Sequence, residues 1–223
     1  MASSTVGESV AIPIAEGQIE ADLRIPPSAS GIVIFAHGSG SSRFSTRNRA
    51  VAEFLDTCGF GTLLLDLLTR DEEAVDVYTR EHRFDIALLG RRVILATDWA
   101  QQRPDLQKLP VGYFGASTGA AAALIGAAAR PAAVRAVVSR GGRPDLAGAA
   151  LPNVQAPTLL IVGGDDEPVI EMNRDAMHRM RGQVALEIVP GATHLFEEPG
   201  TLERAMELAA SWFTTHLSSE GPV

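Results

Sequence analysis

The 223-residue chain has one cysteine, Cys58, so no disulfide can close within it. Aromatic residues make up only 5% of the chain, which leaves Leu, Val, Ile and Ala to build a core. No apolar run approaches the ~18 to 20 residues that span a bilayer. The opening MASSTVGESV lacks the basic and apolar regions of a secretory signal. Positive charge is scarce: 19 Lys and Arg against 27 Asp and Glu give a net charge of −8. No Lys/Arg run supplies the basic stripe that duplex binding needs. Nucleic acid and membranes are therefore not expected partners, and the cytoplasm is the expected location. There is no G-K-[ST] phosphate loop and no His/Cys/Asp cluster at metal-ligand spacing, so no cofactor and no metal are expected. Cys58, in VAEFLDTCGF, reads as a buried structural thiol in a helix.

What is present is a 46% hydrophobic chain, enough for one substantial core and a single domain over 1–223, with the tail 218–223 frayed. GIVIFA (31–36), GTLLLD (61–66), VGYFGA (111–116), AVRAVVS (133–139), PTLLIVG (157–163) and ALEIV (185–189) are compact apolar runs. All but the short ALEIV are apolar throughout rather than alternating, as in strands buried on both faces of a parallel sheet. Helical patterns lie between them, at 45–58 (Val51, Phe54, Leu55), 84–102 (Ile86, Leu89, Val93) and 201–216 (Leu202, Met206, Ala209, Phe213). ESVAIPIAEGQIEADLRIP instead alternates about Glu16-Gly17 and reads as an antiparallel edge hairpin. The expected class is α/β: a mostly parallel twisted sheet, an N-terminal hairpin and helices on both faces.

GYFGASTGAAAA (112–123) places Ser117 where a strand gives way to a helix, with Gly115 and Gly119 two residues to either side. This is the context the G-x-S-x-G elbow requires: a strained turn that lifts the serine Oγ above the sheet. The alternative is a helix chosen for tight packing, with Ser117 as its N-cap. A reactive serine needs a base and the base an orienting acid, in the chain order Ser, acid, His. Asp165, Asp166 and Glu167 follow the strand PTLLIVG, and His194 follows ALEIV in the loop PGATHLF. Asp145, in GGRPDL, is an alternative acid. His82 reads as solvent-facing, His178 and His216 as helical, and His37 precedes Ser117. The turn HGSG (37–40) can aim a backbone N–H at the reaction centre, with the N–H of Thr118 as second donor.

FAHGSGSSR, GYFGASTGAAAAL, LLIVGGDDEPV and GATHLFEEPG together resemble the α/β-hydrolase fold and, within it, the dienelactone-hydrolase-like group. The resemblance implies Ser117 as nucleophile, His194 as base and Asp166 as acid, the last through G-x-x-D-x-x-V matched by Gly163, Asp166 and Val169. It implies backbone N–H groups of Ser39 and Thr118 as an oxyanion hole, and a structural His37. Dienelactone hydrolase itself uses a cysteine nucleophile where this chain has Ser117, which favours a serine esterase. No lid insertion separates AVRAVVS from PTLLIVG. The expectation is a lidless hydrolase of small, short-chain carboxylic esters, acting through an acyl-enzyme as a monomer or homodimer. The alternatives are a non-catalytic binding protein of the same fold, or a peptidase with the same triad. Phe44, Tyr78 and Phe196, read as lying in strand-end loops, are expected to line the pocket with Arg43 and Arg140. One or two of Arg43, Arg47, Arg140 and Arg143 are candidates to hold a substrate carboxylate.

Overall fold

The computed structural model describes residues 6–217, so the expected frayed tail lies outside the described residues. Alternation decides the opening hairpin. β1 (Val6–Ile14) and β2 (Gly17–Ile25) pair antiparallel across Ala15 and Glu16, with Ile14 opposite Gly17. Ile19, Ala21 and Leu23 of β2 face inward. β3 (Ile32–Ala36), β4 (Gly61–Leu65), β5 (Val111–Ala116) and β7 (Thr158–Gly163) are buried along their whole length. In β6 (Val134–Arg140) only Arg135 is not buried, and β8 (Val184–Val189), at the edge, is partly exposed. The sheet order is β1-β2-β4-β3-β5-β6-β7-β8, antiparallel at β1-β2 and β2-β4 and parallel elsewhere.

Helices cover both faces. α1 (Thr46–Thr57) and α6 (Thr201–His216) bring Val51, Leu55, Ala205, Ala209 and Phe213 against Val33, Phe35 and Phe114. On the other face α3 (Ile86–Gln102) and α4 (Thr118–Ala129) bring Leu89, Val93, Ala96 and Ala121–Ala123 against Ile32, Ile34 and Tyr113. α5 (Glu167–Arg179) packs Val169 and Ile170 on Val162 of β7. α1 and α3 begin after Ser45 and Asp85, whose side chains cap the N–H groups of Asn48 and Leu88. The connection from β6 to β7 carries a 3₁₀ segment, Pro144–Asn153, and no lid domain.

Two expectations need correction. Cys58 is exposed: it is the residue that ends α1, one position beyond the turn whose Leu55 fills the core. α2 (Arg70–Thr79) occupies a stretch expected to be loop. It lacks an apolar stripe because its one buried residue is Asp76. The Asp76 carboxylate accepts from the N–H groups of His82 (2.7 Å) and Arg83 (3.0 Å) and from Arg83 Nε (2.5 Å). Burial by itself would raise its pKa; the Arg83 guanidinium and the two amides outweigh it and hold the carboxyl below the usual value. At the other end of α2, Thr69 and Glu72 form a capping box, and Glu72 also binds the buried Arg92 at 2.6 Å. Arg92 in turn reaches Glu16 of the hairpin turn at 3.1 Å.

Because Asp76 is depressed in the folded chain, its contribution is present above the ordinary carboxylate range and drains away as the pH falls through the lowered value. Asp76→Asn is expected to lower the denaturation midpoint at pH 7, with the difference from wild type closing towards acid. Urea titrations across pH 3–7 check both the loss and its closure.

Candidate active site

Ser117 links β5 to α4 at φ 51°, ψ −123°, a conformation non-glycine residues avoid. Its side chain makes no capping hydrogen bond, so the N-cap alternative fails and Oγ is left free of the helix. The turn is tied to the end of β6 and to the segment after it: Ser117 N–H donates to Arg140 O at 3.3 Å, and Arg143 N–H donates to Ser117 O at 3.0 Å. The flanking glycines are forced by space. A Cβ on Gly115 would lie 2.4 Å from Ala120 Cα, and one on Gly119 would lie 2.2 Å from Ala36 O. Gly115 thus admits the first turn of α4, and Gly119 admits the end of β3.

Asp166 precedes α5, but its carboxylate does not cap that helix. It accepts from His194 Nδ1 at 2.7 Å. That bond assigns the imidazole proton to Nδ1 and leaves Nε2 as the acceptor. His194 is 38% exposed and Asp166 14%. The His194 loop is clamped by Glu198, which accepts from Thr193 N–H (3.0 Å) and Oγ1 (2.6 Å). It runs so close to the end of β7 that a Cβ on Gly163 would lie 2.3 Å from Ala192 O. Asp165 and Glu167 are exposed. Asp145 is held by Arg143 through two bonds, at 2.9 and 2.7 Å, and among the described residues no hydrogen bond joins it to His194.

Ser117 and His194 line one cavity of about 290 Å³ with Gly38, Ser39, Ser41, Asn48, Arg47 and Arg140. Among the described residues no hydrogen bond joins Ser117 Oγ to the imidazole; such contacts tighten when substrate binds. A second cavity, about 480 Å³, shares the Ser41 wall and is lined by Leu68, Ala74 and Val77 among others. Thr118 begins α4, so its N–H has no acceptor within the helix. The expected donor at Ser39 is not free: its N–H donates to Thr118 Oγ1 at 2.8 Å. His37 is held through both ring nitrogens. Its Nε2 accepts from Leu67 N–H at 3.1 Å, and Nδ1 lies 2.9 Å from Gly38 O. Burial pushes its pKa down, against the Gly38 bond, and keeps it neutral.

The expected pocket residues divide. Tyr78 is 87% exposed on α2 and Phe44 is 53% exposed beneath Arg43 and Arg49, so neither lines the Ser117 cavity. Phe196 does not line the cavity either: it is buried at φ 57°, under the Arg140 guanidinium at 5.6 Å. Arg43 is taken by Asp66 and Asp22 and is also outside the cavity. Asn48 and Ser41 were not foreseen. Asn48 sits one turn into α1, a position the apolar stripe leaves unmarked.

Residues 19–217 match the model of the dienelactone hydrolase family. A dienelactone hydrolase from Anabaena variabilis is 57% identical, with a TM-score of 0.94 over 96% of this chain and 99% of its own. Est1E from Butyrivibrio proteoclasticus, 16% identical, shares the fold with a TM-score of 0.77 over 93% of this chain and 98% of its own. A Mycobacterium tuberculosis H37Rv protein named "Putative phosphoribosyl transferase" is 56% identical over 215 residues, 96% of this chain but 48% of its own. The chain thus spans about half the length of the curated relatives it matches.

Gly119→Ala tests the elbow. The added methyl meets the Ala36 carbonyl, and the loss of stability is expected to be about 3 kcal/mol, read from the denaturation midpoint.

Proposed function

The chain belongs to the dienelactone hydrolase family, and on that premise we propose that it hydrolyses small carboxylic esters with Ser117 as nucleophile, His194 as base and Asp166 as orienting acid. The observation that carries this assignment is the 2.7 Å bond from His194 to Asp166, made on the rim of the cavity that Ser117 also lines. The bond fixes the tautomer that leaves Nε2 able to take a proton.

In the proposed reaction His194 Nε2 accepts the hydroxyl proton as Ser117 Oγ bonds to the ester carbonyl carbon. The carbonyl oxygen becomes an oxyanion at the N-terminal end of α4, where the Thr118 N–H and the helix dipole favour negative charge. Ser39 N–H joins as second donor once the oxyanion competes with Thr118 Oγ1 for it. Each such donor contributes about 3 kcal/mol in comparable sites. The C–O bond to the alcohol breaks, and the leaving oxygen receives the proton from His194. Water, deprotonated by the same imidazole, then bonds to the acyl carbon; the bond to Ser117 Oγ breaks, Oγ takes the proton back from His194, and the acid leaves. The small cavity and the lidless β6–β7 connection favour short acyl groups. The transferase in the name of the longer curated relatives belongs, on this proposal, to the half of those proteins outside the match.

Ser117→Ala is expected to lower p-nitrophenyl acetate hydrolysis by about 10³-fold or more and to abolish fluorophosphonate labelling. A mutant that keeps the wild-type rate overturns the assignment, and a wild-type chain that resists labelling is a binding protein. Asp166→Asn should cost about 10²- to 10⁴-fold in kcat, whereas Asp145→Asn should stay within a few-fold of wild type. The reverse order would make Asp145 the acid.

A further inference from the structure

Four arginines lie near the cleft, Arg140 at the end of β6, Arg143 just after it, and Arg43 and Arg47 between β3 and the first turn of α1, and three of them are paired with carboxylates. Arg43 holds Asp66 and Asp22, Arg47 holds Glu197 at 3.0 Å, and Arg143 holds Asp145 at 2.7 Å. Arg140 is different. It is 5% exposed, and among the described residues no Asp or Glu oxygen pairs with it. Its Nη1 reaches Leu195 O and its Nη2 reaches Asn48 Oδ1, both at the long distance of 3.5 Å. Its Nε is buried with no partner. Burial, with the nearby Arg47 charge adding to it, pushes its pKa down to about 10, so it remains a cation at neutral pH.

An uncompensated buried guanidinium is costly, and a chain with 27 acidic residues has carboxylates to spare for it. Its place accounts for the exception. Arg140 lies opposite Ala116 in the β5–β6 register, one residue from Ser117, and it lines the Ser117 cavity together with Arg47. The Phe196 ring and Asn48 hold the side chain in position without neutralising it.

We propose that Arg140 is an anion-recognition site of the Ser117 cleft, and that the natural ester carries an oxyanionic group, carboxylate or phosphate, beside the bond that is cut. This deepens the esterase proposal and rests on it. The substrate anion supplies the acceptors that the protein withholds from Arg140, through the charge-assisted bonds a guanidinium makes with either group.

The test uses the intact chain and three acyl p-nitrophenyl esters matched in length: neutral, carboxylate-bearing and phosphonate-bearing. Wild type is expected to favour one of the anionic esters in kcat/KM, and the preferred one identifies the anion. Arg140→Gln should reduce the anionic-to-neutral ratio by about 30-fold, and Arg140→Lys by less. Arg143→Gln, whose side chain faces Asp145, should leave the ratio where it was. A neutral ester cleaved as well as both anionic ones, or a ratio unmoved in Arg140→Gln, overturns the proposal. A purely structural Arg140 would change the melting temperature but not the ratio.

Calorimetric binding of succinate and inorganic phosphate at fixed ionic strength gives a readout independent of turnover. Arg140-dependent binding without ester cleavage would retain the anion site and refute the esterase. Ester cleavage with neither anion bound would do the opposite. Should Arg140→Gln fail to fold, selective inhibition of wild-type neutral-ester cleavage by succinate or phosphate, against chloride at equal ionic strength, supports the site. Its absence overturns the site.

Discussion

A serine at φ 51° is held there by its neighbours. The conformation costs on the order of 1–3 kcal/mol, and what surrounds Ser117 offsets it. β5 is paired with β3 on one side and β6 on the other, which fixes the strand up to Ala116. The backbone of Ser117 then donates to Arg140, the last residue of β6, and accepts from Arg143 just beyond it. α4 starts at once, and Ala120 to Ala123 are fully buried against the sheet. Alanine suits that seat: it loses no rotamer freedom in a helix and lets the helix approach closely. The glycines and the alanine run are one device, a helix brought so near the sheet that the turn between them is strained.

Strand order puts the other groups within reach of that turn. β3 and β5 are neighbours, but their next strands in sequence lie on opposite sides, β4 beyond β3 and β6 beyond β5. Such a reversal opens a crevice at the carboxyl ends of the two strands, where the HGSG turn and Ser117 meet. His194 starts from farther away, after the edge strand β8. Its loop must come back over the ends of β7 and β6. Small residues mark the route: a Cβ on Gly163 would strike Ala192 O, and one on Gly141 would lie 2.9 Å from His194 O. Phe196, at φ 57°, turns the loop back and buries its ring.

The parts legible in the sequence are those whose cause is local. Buried parallel strands announce themselves as unbroken apolar runs, and the elbow as glycines about Ser117 at the end of one of them. The hairpin follows from alternation about Glu16. The parts that were hidden have distant causes. α2 carries no stripe because it buries a carboxylate rather than a side of hydrophobes. Tyr78, assigned to a strand-end loop, is therefore an exposed helical residue. Cys58 is displaced from the core by a cap boundary one residue earlier than periodicity suggests. Which acid meets which base depends on folding too. Asp145 and Asp166 both follow apolar strands, and only the structure shows the first consumed by Arg143 and the second bonded to His194. The engagement of Ser39 N–H by Thr118 Oγ1 joins residues 79 positions apart, and nothing in either segment announces it.

The same partition of charge bears on how the cleft would work. Carboxylates around it are occupied: Asp22 and Asp66 by Arg43, Glu197 by Arg47, Asp145 by Arg143, Asp166 by His194. What remains is positive, in a chain whose net charge is −8. A cation on the neighbouring strand, opposite Ala116, favours negative charge anywhere in the cavity, including an oxyanion that would develop on the carbonyl oxygen of a bound ester. Once a substrate anion sits on Arg140, however, that field is largely cancelled before the reaction begins. On that proposal the interaction would be equal in ground and transition states, and would act through capture of the substrate rather than through the chemical step. The rate of that step would then fall to groups no substrate anion neutralises, the Thr118 amide and the end of α4, which the elbow holds beside Ser117.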